Sequence, residues 1–530
     1  MGIYIDPGNL SFSNDSRAEI YVDKTNVLKI LNKSIGSPQR YFAVSRPRRF
    51  GKSMAAGMID AYYSIGCDSK ELFAPFNIAK DPEFEKHLNK YHVLHFDVTE
   101  FISPLGESNT IVERLNDELL NDMRDSYPEH VDEYCTNAAK AIMQIYKGDG
   151  KQFVIIIDEW DCLIRDAGDD NQLINSYLKY LRLFFKTEAS RRFLALGYIT
   201  GILPIKKIEG ESAMNNFIEY TMTSVDSLTP YYGFTQAEVD RLCAEKGGDR
   251  EELRQWYDGY IMGCPDKDRN INYFHIYNPN SLVLYFWKGV ADSYWKNTGA
   301  FRQLNDYIER NEEGLKDTIV QLLAGEKAKV SVDTFQNDLT SYRCRDDVLT
   351  ALIHMGYLGY DSGAKEAFIP NEEVRAVFDS AIKVGDWTEI REALNNSEAL
   401  LRSTWERDEE KVAEAIEKSH QDFSSIINYN NENALACAIM MSYYTAREHY
   451  VIVRELPSGK GFADIAFIPK RKSDKPAMIV ELKWDKSADT AIKQIHDRRY
   501  QGQLKGFGGE ILLVGISYDR TTKKYDCIIE

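Results

Sequence analysis

The stretch Ser45–Ser53, with the sequence SRPRRFGKS, decides the fold of the N-terminal part of this chain. It follows a short apolar run, Tyr41–Val44, which is typical of a buried strand. It precedes Met54–Tyr63, where apolar residues recur at helical spacing. A basic loop that ends in Gly-Lys-Ser between a strand and a helix predicts a phosphate-binding loop. Backbone N–H groups at the start of the helix would face the phosphates, and the helix dipole favours an anion there.

This loop predicts roles for individual residues. Lys52 is expected to reach the β- and γ-phosphates of a nucleotide, and the Ser53 hydroxyl is expected to bind Mg²⁺. The motif is incomplete, because the first glycine of G-x-x-x-x-G-K-[ST] would stand where this chain has Arg46. The other nucleotide-binding residues that we predict are the loop positions Arg48, Arg49, Phe50 and Gly51.

A second stretch, FVIIIDEWD at Phe153–Asp161, supports the same interpretation. Its apolar run predicts a strand that is buried on both faces, as in a parallel sheet. Open α/β sheets bind their ligands at the carboxyl ends of the strands, where Asp158 and Glu159 stand. We expect Asp158 to hold Mg²⁺ and Glu159 to polarise an attacking water. The alternative is a buried strand that ends in a helix cap or in a surface ion pair.

Two further apolar runs, His92–Val98 and Phe193–Ile202, predict strands that alternate with helical segments. This alternation predicts an α/β fold, a doubly wound P-loop domain with a mostly parallel sheet. Thr200, near the end of the second run, is expected either to sense the γ-phosphate or to be a simple strand-end hydroxyl. For Arg191 and Arg192, a solvated helix end is favoured over a role as a finger for a nucleotide bound to another copy.

The pattern changes after residue 232, and the chain divides into three predicted domains with the bounds 1–232, 233–385 and 386–530. Short helices dominate the second domain, where Thr235 is a predicted N-cap. Residues 347–378 predict a helix, a short strand, a turn and a second helix, which together resemble a winged-helix unit. Such a unit can bind DNA, but this segment is acidic, and that favours a structural lid.

The C-terminal part carries a second chemical pattern, in which Asp464 stands on one predicted strand and Glu481-Leu482-Lys483 ends the next. This D…ExK pattern resembles the core of the PD-(D/E)XK nucleases. Two carboxylates on neighbouring strands can converge on one Mg²⁺, which prefers octahedral oxygen ligands, and the Leu482 carbonyl could complete the set. Lys483 faces the same side as Glu481, where it can orient water or stabilise charge on a scissile phosphate. Exposed Glu/Lys alternation on an edge strand is the alternative.

RPRRFGKS, together with YVDKT upstream and IIIDEWD and ITGI downstream, resembles the bacterial AAA-ATPase-like family over nearly the whole chain. Members of this family commonly carry Arg-Pro-Arg-Arg-Phe before the Gly-Lys, so the resemblance accounts for Arg46. They usually carry a C-terminal PD-(D/E)XK nuclease-like domain. The resemblance implies that Glu432 helps to bind metal, that Gln494 braces the site and that Tyr500 occupies the helical tyrosine position of the family.

Composition restricts the class of protein. Hydrophobic residues make up 43% of the chain and charged residues 28%, as in an ordinary globular protein. No apolar run approaches the roughly twenty residues that span a bilayer, and the N-terminus lacks the pattern of a secretory signal. Eight scattered cysteines suggest reduced thiols, so we expect a cytoplasmic protein without membrane attachment. The net charge of −17 argues against non-specific nucleic-acid binding but leaves room for a local basic groove.

Two interpretations of function follow. In the first, a module that binds ATP and Mg²⁺ gates phosphodiester cleavage by Asp464, Glu481 and Lys483, with Mg²⁺ or Mn²⁺ at the second site. DNA is the expected nucleic acid, and analogy suggests a role in defence or mobile-element biology. In the second, the chain is a signalling or scaffold ATPase whose C-terminal fold only binds a partner or nucleic acid, which the overall acidity favours. A homo-oligomer is compatible with both, and a steep loss of DNA binding with salt would favour the first.

Overall fold

The chain forms two compact units, Met1–Thr298 with Lys329–Val374, and Gly299–Ala328 with Arg375–Glu530. The predicted domain boundaries at residues 232 and 385 stay predictions. The computed structural model describes residues 2–102, 111–166, 170–205, 214–295, 314–333, 335, 344–384, 388–423, 432–458, 461–470, 473–498 and 509–530.

A five-stranded sheet with the order β2-β3-β4-β1-β5 is the framework of the first unit, and all its neighbouring strands are parallel. The predicted parallel sheet is therefore confirmed. The sequence does not predict β5, because its three residues contain no apolar run. The strands are β1 Tyr41–Ser45, β2 His92–Asp97, β3 Phe153–Asp158, β4 Leu194–Gly201 and β5 Ile218–Tyr220.

Helices cover both faces of this sheet, because the strands are apolar on both sides. Along β1, Phe42 and Val44 belong to one buried core and Ala43 to the other. Along β3, Val154 and Ile155 divide in the same way. The helices are Leu10–Asp15, Val27–Ser34, Lys52–Tyr63, Lys70–Phe73, Phe84–His87, Ile111–Ser126, Ala138–Asp149, Cys162–Asp166, Asn171–Phe185 and Ser190–Phe193.

Short helices and a small antiparallel sheet follow, with the strand order β6-β8-β7. Thr235 is the predicted N-cap, and its reciprocal hydrogen bonds with Glu238 form a capping box. The elements are β6 Phe234–Thr235, Gln236–Lys246, Arg250–Tyr257, β7 Tyr260–Pro265, β8 Ile271–Tyr277 and Pro279–Lys288.

A helix, a two-stranded hairpin and a second helix come next, in the order expected of the winged-helix-like region. The second helix begins in the first unit and continues along the chain past residue 374. These elements are β9 Ala328–Lys329, Arg345–Met355, β10 Gly359–Asp361, β11 Glu366–Phe368 and Glu372–Val384.

The second unit contains a mixed five-stranded sheet with the order β12-β13-β14-β15-β16. β14 and β15 are parallel, and the other neighbours are antiparallel. The strands are β12 Tyr450–Ser458, β13 Gly461–Pro469, β14 Ala477–Trp484, β15 Ile511–Asp519 and β16 Lys524–Ile529. The helices are Leu315–Leu323, Thr388–Trp405, Glu409–Phe423, Glu432–Ser442 and Ala488–Arg498.

The helix Ala488–Arg498 lies close to β15, because Gly515 has no side chain. A Cβ at this glycine would come within 2.8 Å of the Ala488 carbonyl oxygen and 2.9 Å of the Ile492 side chain. Ile479 of β14 and Ile492 belong to the same buried cluster. This packing fixes the helix that carries Gln494. In the part of the chain that the structure describes, no helix is both long and apolar enough to cross a bilayer.

Candidate nucleotide and nuclease sites

The loop after β1 has the geometry of a phosphate-binding loop. Gly51 is the N-cap of the helix Lys52–Tyr63 and has a left-handed backbone, with φ of 83°. A Cβ at Gly51 would meet no atom within 4 Å, so the backbone angle, and not space, accounts for the glycine. Arg49 is also left-handed, with φ of 70°. The predicted order of strand, loop and helix is present.

Lys52 is buried at the start of this helix and points back along the loop. Its Nζ donates to the Pro47 carbonyl oxygen at 3.1 Å and lies 3.6 Å from Glu159 Oε1. Burial lowers the pKa of Lys52, although the negative charge of Glu159 opposes this shift. The Glu159 carboxylate is therefore the counter-ion of Lys52.

Asp158 and Glu159 stand at the end of β3 in different environments. Burial raises the pKa of Asp158, whose carboxylate accepts hydrogen bonds from the Ser53 hydroxyl and the Glu159 backbone N–H. Glu159 has a left-handed backbone, with φ of 48°. Burial tends to raise the pKa of Glu159, but the charges of Lys52 and Arg165 outweigh it and lower that pKa. The oxygens of Ser53 and Asp158 fit the ligand preference of Mg²⁺.

Arg46, which replaces the first glycine of the motif, is fully buried beneath the loop. Its guanidinium donates to the carbonyl oxygens of Ser45 at 3.0 Å and Tyr220 at 2.8 Å. It lies 3.3 Å from the Asp226 carboxylate and above the Tyr232 ring. Arg46 thus joins β1 to the segment that follows β5, which is a structural role.

Arg165 and Asp161 are functional candidates that the sequence analysis does not identify. Asp161 is fully buried and accepts hydrogen bonds from the backbone N–H groups of Ile202 at 3.1 Å and Leu203 at 2.8 Å. Arg165 pairs with Asp161 at 3.1 Å and with Glu159 at 2.9 Å. A Cβ at Gly201 would come within 2.3 Å of the Asp161 carboxylate, so this glycine lets the carboxylate reach the end of β4.

Some of these residues line a cavity of about 840 Å³ in the first unit, whereas Arg46, Asp158 and Asp161 are not part of its lining. Its charged wall includes Glu159 and Arg165 as well as the loop Arg48–Ser53. Its apolar wall comes partly from the segment before β1, including Phe12 and Val22, and partly from Phe234. A cavity with a cationic wall and an apolar wall fits a nucleotide, which has phosphates and a flat base.

Of the remaining residues predicted in this region, Phe50 lines the cavity, whereas Thr200 and Arg191 do not. Phe50 is buried and packs edge-on against Tyr260, so it supports the loop as well as lining the cavity. Thr200 is buried outside the lining of the cavity, and its hydroxyl has no hydrogen-bond partner among the described residues. Arg191 is 73% exposed and pairs with Glu188, as expected of a solvated helix end.

The second unit brings Asp464, Glu481 and Lys483 together on β13 and β14. The register that pairs Ile465 with Val480 puts Asp464 beside Glu481. Asp464 accepts a hydrogen bond from the Leu482 N–H at 2.7 Å. Lys483 Nζ donates at 2.9 Å both to Glu481 Oε1 and to the Leu482 carbonyl oxygen. The three side chains therefore share one face of the sheet.

The negative charge of Glu481 is the least favourable charge of this site. Only 1% of it is exposed, and its Oε1 also accepts a hydrogen bond from Gln494 Nε2. Its Oε2 is buried and has no hydrogen-bond partner in the described structure. Burial and the charge of Asp464 raise the pKa of Glu481 to about 7, although Lys483 opposes them. A cation between the two carboxylates would satisfy Oε2 and relieve the repulsion.

Metal ligation by Asp464, Glu481, Glu432, Ser53 and Asp158 stays a prediction. Among the described residues, no group of three or more His, Cys, Asp or Glu side chains is arranged to hold a metal ion. The structure describes the backbone of Glu432 at the start of a helix, but its side chain and the whole of Tyr500 lie outside the described residues. The third carboxylate that the family resemblance implies is thus one of the undescribed side chains.

Two family models match this chain. Residues 12–209 match the predicted AAA-ATPase family, and residues 430–526 match the PD-(D/E)XK nuclease superfamily. The first match contains the whole loop Ser45–Ser53 and both acidic residues at the end of β3. The second contains Asp464, Glu481 and Lys483.

A curated relative and a solved structure are also similar to the chain. An uncharacterized protein in the vnfD 5′ region of Azotobacter chroococcum mcd 1 is 26% identical over 307 residues, which are 54% of this chain and 52% of the relative. The chain thus spans about half the length of this relative. The ORC2 protein of Aeropyrum pernix, solved with ADPNP and ADP, is 10% identical with a TM-score of 0.32, over 71% of this chain and 98% of that one. The two family matches thus give this chain an AAA-ATPase-like domain at residues 12–209 and a PD-(D/E)XK nuclease superfamily domain at residues 430–526.

Proposed function

We propose that this chain is a metal-dependent nuclease, with DNA as its substrate, and that ATP bound to its N-terminal domain regulates cleavage. The observation that carries the nuclease half is the buried Oε2 of Glu481, which has no hydrogen-bond partner among the described residues, in a glutamate whose neighbour across the strands is Asp464. A protein gains no stability from such a pair, so a cation is the expected complement.

In this proposal Asp464 and Glu481 hold Mg²⁺ or Mn²⁺, and the Glu432 side chain adds a third ligand. The metal, when bound, acts as a Lewis acid on the scissile phosphate. Lys483, fixed by Glu481 and by the Leu482 carbonyl, orients the attacking water or stabilises the charge that develops on the phosphate. Gln494 holds Glu481 Oε1, which leaves the other oxygen to the metal.

In the N-terminal domain, Lys52 binds the β- and γ-phosphates, and the N–H groups after Gly51 support them. Ser53 and Asp158 hold Mg²⁺, which neutralises phosphate charge. Glu159 polarises a water when Lys52 and Arg165 contact the phosphates and no longer pair with it. The apolar wall of the cavity takes the base of the nucleotide.

The test is cleavage of supercoiled plasmid with Mg²⁺ or Mn²⁺, with and without ATP. We expect Asp464→Ala to abolish cutting, because one of the two carboxylates that hold the metal is lost. We expect Lys52→Ala to lose ATP binding and also any effect of ATP on cutting. Asp474→Ala and Lys70→Ala are the matched controls, because Asp474 is 89% exposed and Lys70 is 59% exposed.

The possible outcomes test the nuclease site and its regulation by ATP separately. Cutting that survives Asp464→Ala would come from a contaminant and would contradict the nuclease site. Cutting by the wild type that ignores ATP would remove the regulatory link and keep the nuclease. If no plasmid or single-stranded DNA is cut, and DNA binding does not weaken with salt, the C-terminal domain is a binding module.

A further inference from the structure

The Glu159 carboxylate is held between two cations, and this arrangement bears on how the cavity distinguishes nucleotides. Lys52 approaches one oxygen at 3.6 Å, and Arg165 Nη2 donates to the other at 2.9 Å. Lys52 and Arg165 both line the cavity with Glu159. Glu159 is therefore the shared counter-ion of these two cations that face the cavity.

The Nη1 atom of Arg165 is held by Asp161, whereas its Nη2 atom contacts Glu159. Its Nη1 donates to both oxygens of Asp161, at 3.2 and 3.1 Å, and Asp161 is itself held by backbone N–H groups beyond β4. Only 9% of the Arg165 side chain is exposed, and its Nε is buried without a hydrogen-bond partner in the described structure. The guanidinium therefore keeps its place when Nη2 exchanges one acceptor for another.

We infer that Arg165 is the residue that distinguishes ATP from ADP: in the presence of ATP its Nη2 leaves Glu159 and contacts the terminal phosphate. This inference rests on the proposed ATP binding at the same loop. A terminal phosphate carries more charge than a carboxylate and accepts more hydrogen bonds, so it competes for both cations of Glu159. ADP lacks that phosphate and leaves the Arg165–Glu159 pair closed.

The inference assigns to Arg165 the role that the sequence analysis considers for Arg191. Arg191 is largely exposed and pairs with an exposed glutamate. Only 9% of the Arg165 side chain is exposed, and this side chain lines the same cavity as the loop. An arginine supplied within the chain needs no second copy, in contrast to one supplied in trans.

The experiment measures the affinity of the full chain for ADP and for the β,γ-imido analogue of ATP, each with Mg²⁺, by titration calorimetry. For Arg165→Gln we expect the analogue to bind at least about tenfold more weakly and ADP to change less than about threefold, because a charge-assisted hydrogen bond to the third phosphate is lost. Arg191→Gln is the matched control and should change neither affinity.

Two further variants keep the test decisive if Arg165→Gln does not fold. Arg165→Lys keeps a cation beside Asp161 but cannot reach both acceptors, so it should also lose the preference for the analogue. Glu159→Gln removes the charge that holds Nη2, leaving at most a neutral hydrogen bond, and should tighten binding of the analogue more than binding of ADP. An equal loss of both nucleotides in the Arg165 variants, or no gain in Glu159→Gln, would overturn the inference.

The wild type and Lys52→Ala separate this inference from the proposed function. If the wild type binds both nucleotides, Lys52→Ala binds neither, and the Arg165 variants leave the ratio of affinities unchanged, the ATP site stands and only the inference fails. If the wild type binds no nucleotide, the ATP half of the proposed function fails and the inference fails with it.

Discussion

The two candidate sites place carboxylates at the ends of strands, but they balance charge in opposite ways. In the first unit, the half-buried carboxylate of Glu159 and the buried carboxylate of Asp161 are paired with Lys52 and Arg165. In the second unit, Asp464 and Glu481 lie side by side with Lys483, and one oxygen of Glu481 has no partner in the described structure. Among the described residues, the first site thus supplies cations for Glu159 and Asp161, whereas the second leaves one oxygen of Glu481 without a hydrogen-bond partner.

The pKa values of the two glutamates follow this difference. Both are affected most by burial, which raises the pKa of a carboxyl group. At Glu159 the two neighbouring cations reverse the effect, and the pKa lies below its ordinary value. At Glu481 the charge of Asp464 adds to burial, and the pKa rises to about 7. The difference is the one expected if the first site binds an anion and the second a cation, because cations near the first would attract phosphate and paired carboxylates at the second would attract a metal ion.

The largest effect that we expect concerns Arg46, which is fully buried beneath the loop of the first site. Arg46→Met leaves Asp226 without its cation and removes two hydrogen bonds to backbone carbonyl groups. Breaking a buried pair in this way costs about 3–5 kcal/mol in the free energy of unfolding. Chemical denaturation of the full chain measures it.

The double variant Arg46→Met/Asp226→Asn serves as the control. It removes both charges, so it should recover part of the lost stability, because no buried carboxylate is left unpaired. If Arg46→Met alone costs less than about 1 kcal/mol, the buried charges of the first site are not coupled as the contacts indicate, and the contrast with the second site weakens.

The next effect concerns Lys483, the one cation that contacts Glu481 among the described residues. Lys483→Met keeps an unbranched side chain that is one atom shorter but removes the charge that would stabilise the scissile phosphate. We expect plasmid cleavage to fall by about a hundredfold or more, while metal binding persists. The matched control is Lys493→Met on the exposed side of the helix Ala488–Arg498. Loss of metal binding in Lys483→Met would show instead that this lysine orders the carboxylates.

Much of both sites is predictable from the sequence, because local patterns determine it. The loop before Lys52 and the strand before Asp158 are recognisable from apolar runs and from the Gly-Lys-Ser end, and the ExK spacing puts Lys483 on the same face as Glu481. β5 is not predictable in this way, since its pairing with β1 depends on tertiary packing and its three residues have no pattern of their own.

The partners of the buried charges are the part that the sequence does not determine. In the sequence, Arg46 is only a departure from the glycine motif. The structure shows that it pairs with Asp226 and donates to the Tyr220 carbonyl oxygen. Arg165 carries one local signal, its spacing of four residues from Asp161 at the start of a helix, which places both side chains on one face. Its contact with Glu159 involves a residue with a left-handed backbone, and no sequence pattern predicts that Glu159 adopts this backbone angle.

The smallest effect is also the most direct test of the contrast, because the same substitution is made at both sites. Without metal and at pH 8, Glu159→Gln should lower the free energy of unfolding by about 1 kcal/mol or more, since Lys52 and Arg165 lose a shared carboxylate. Under the same conditions Glu481→Gln should leave stability unchanged or raise it slightly, since repulsion by Asp464 disappears. Denaturation in the presence of EDTA compares the two variants.

The dependence on pH separates charge from packing. The pKa of Glu481 is raised on folding, so its contribution to stability is complete below its ordinary value and is lost as the pH rises through about 7. The advantage of Glu481→Gln over the wild type should therefore grow from pH 5 to pH 8. The pKa of Glu159 is lowered, so its contribution persists at pH 8 and is lost only in acid. Equal behaviour of the two variants at pH 8 would mean that both sites are balanced alike, and that Glu481 does not need a cation.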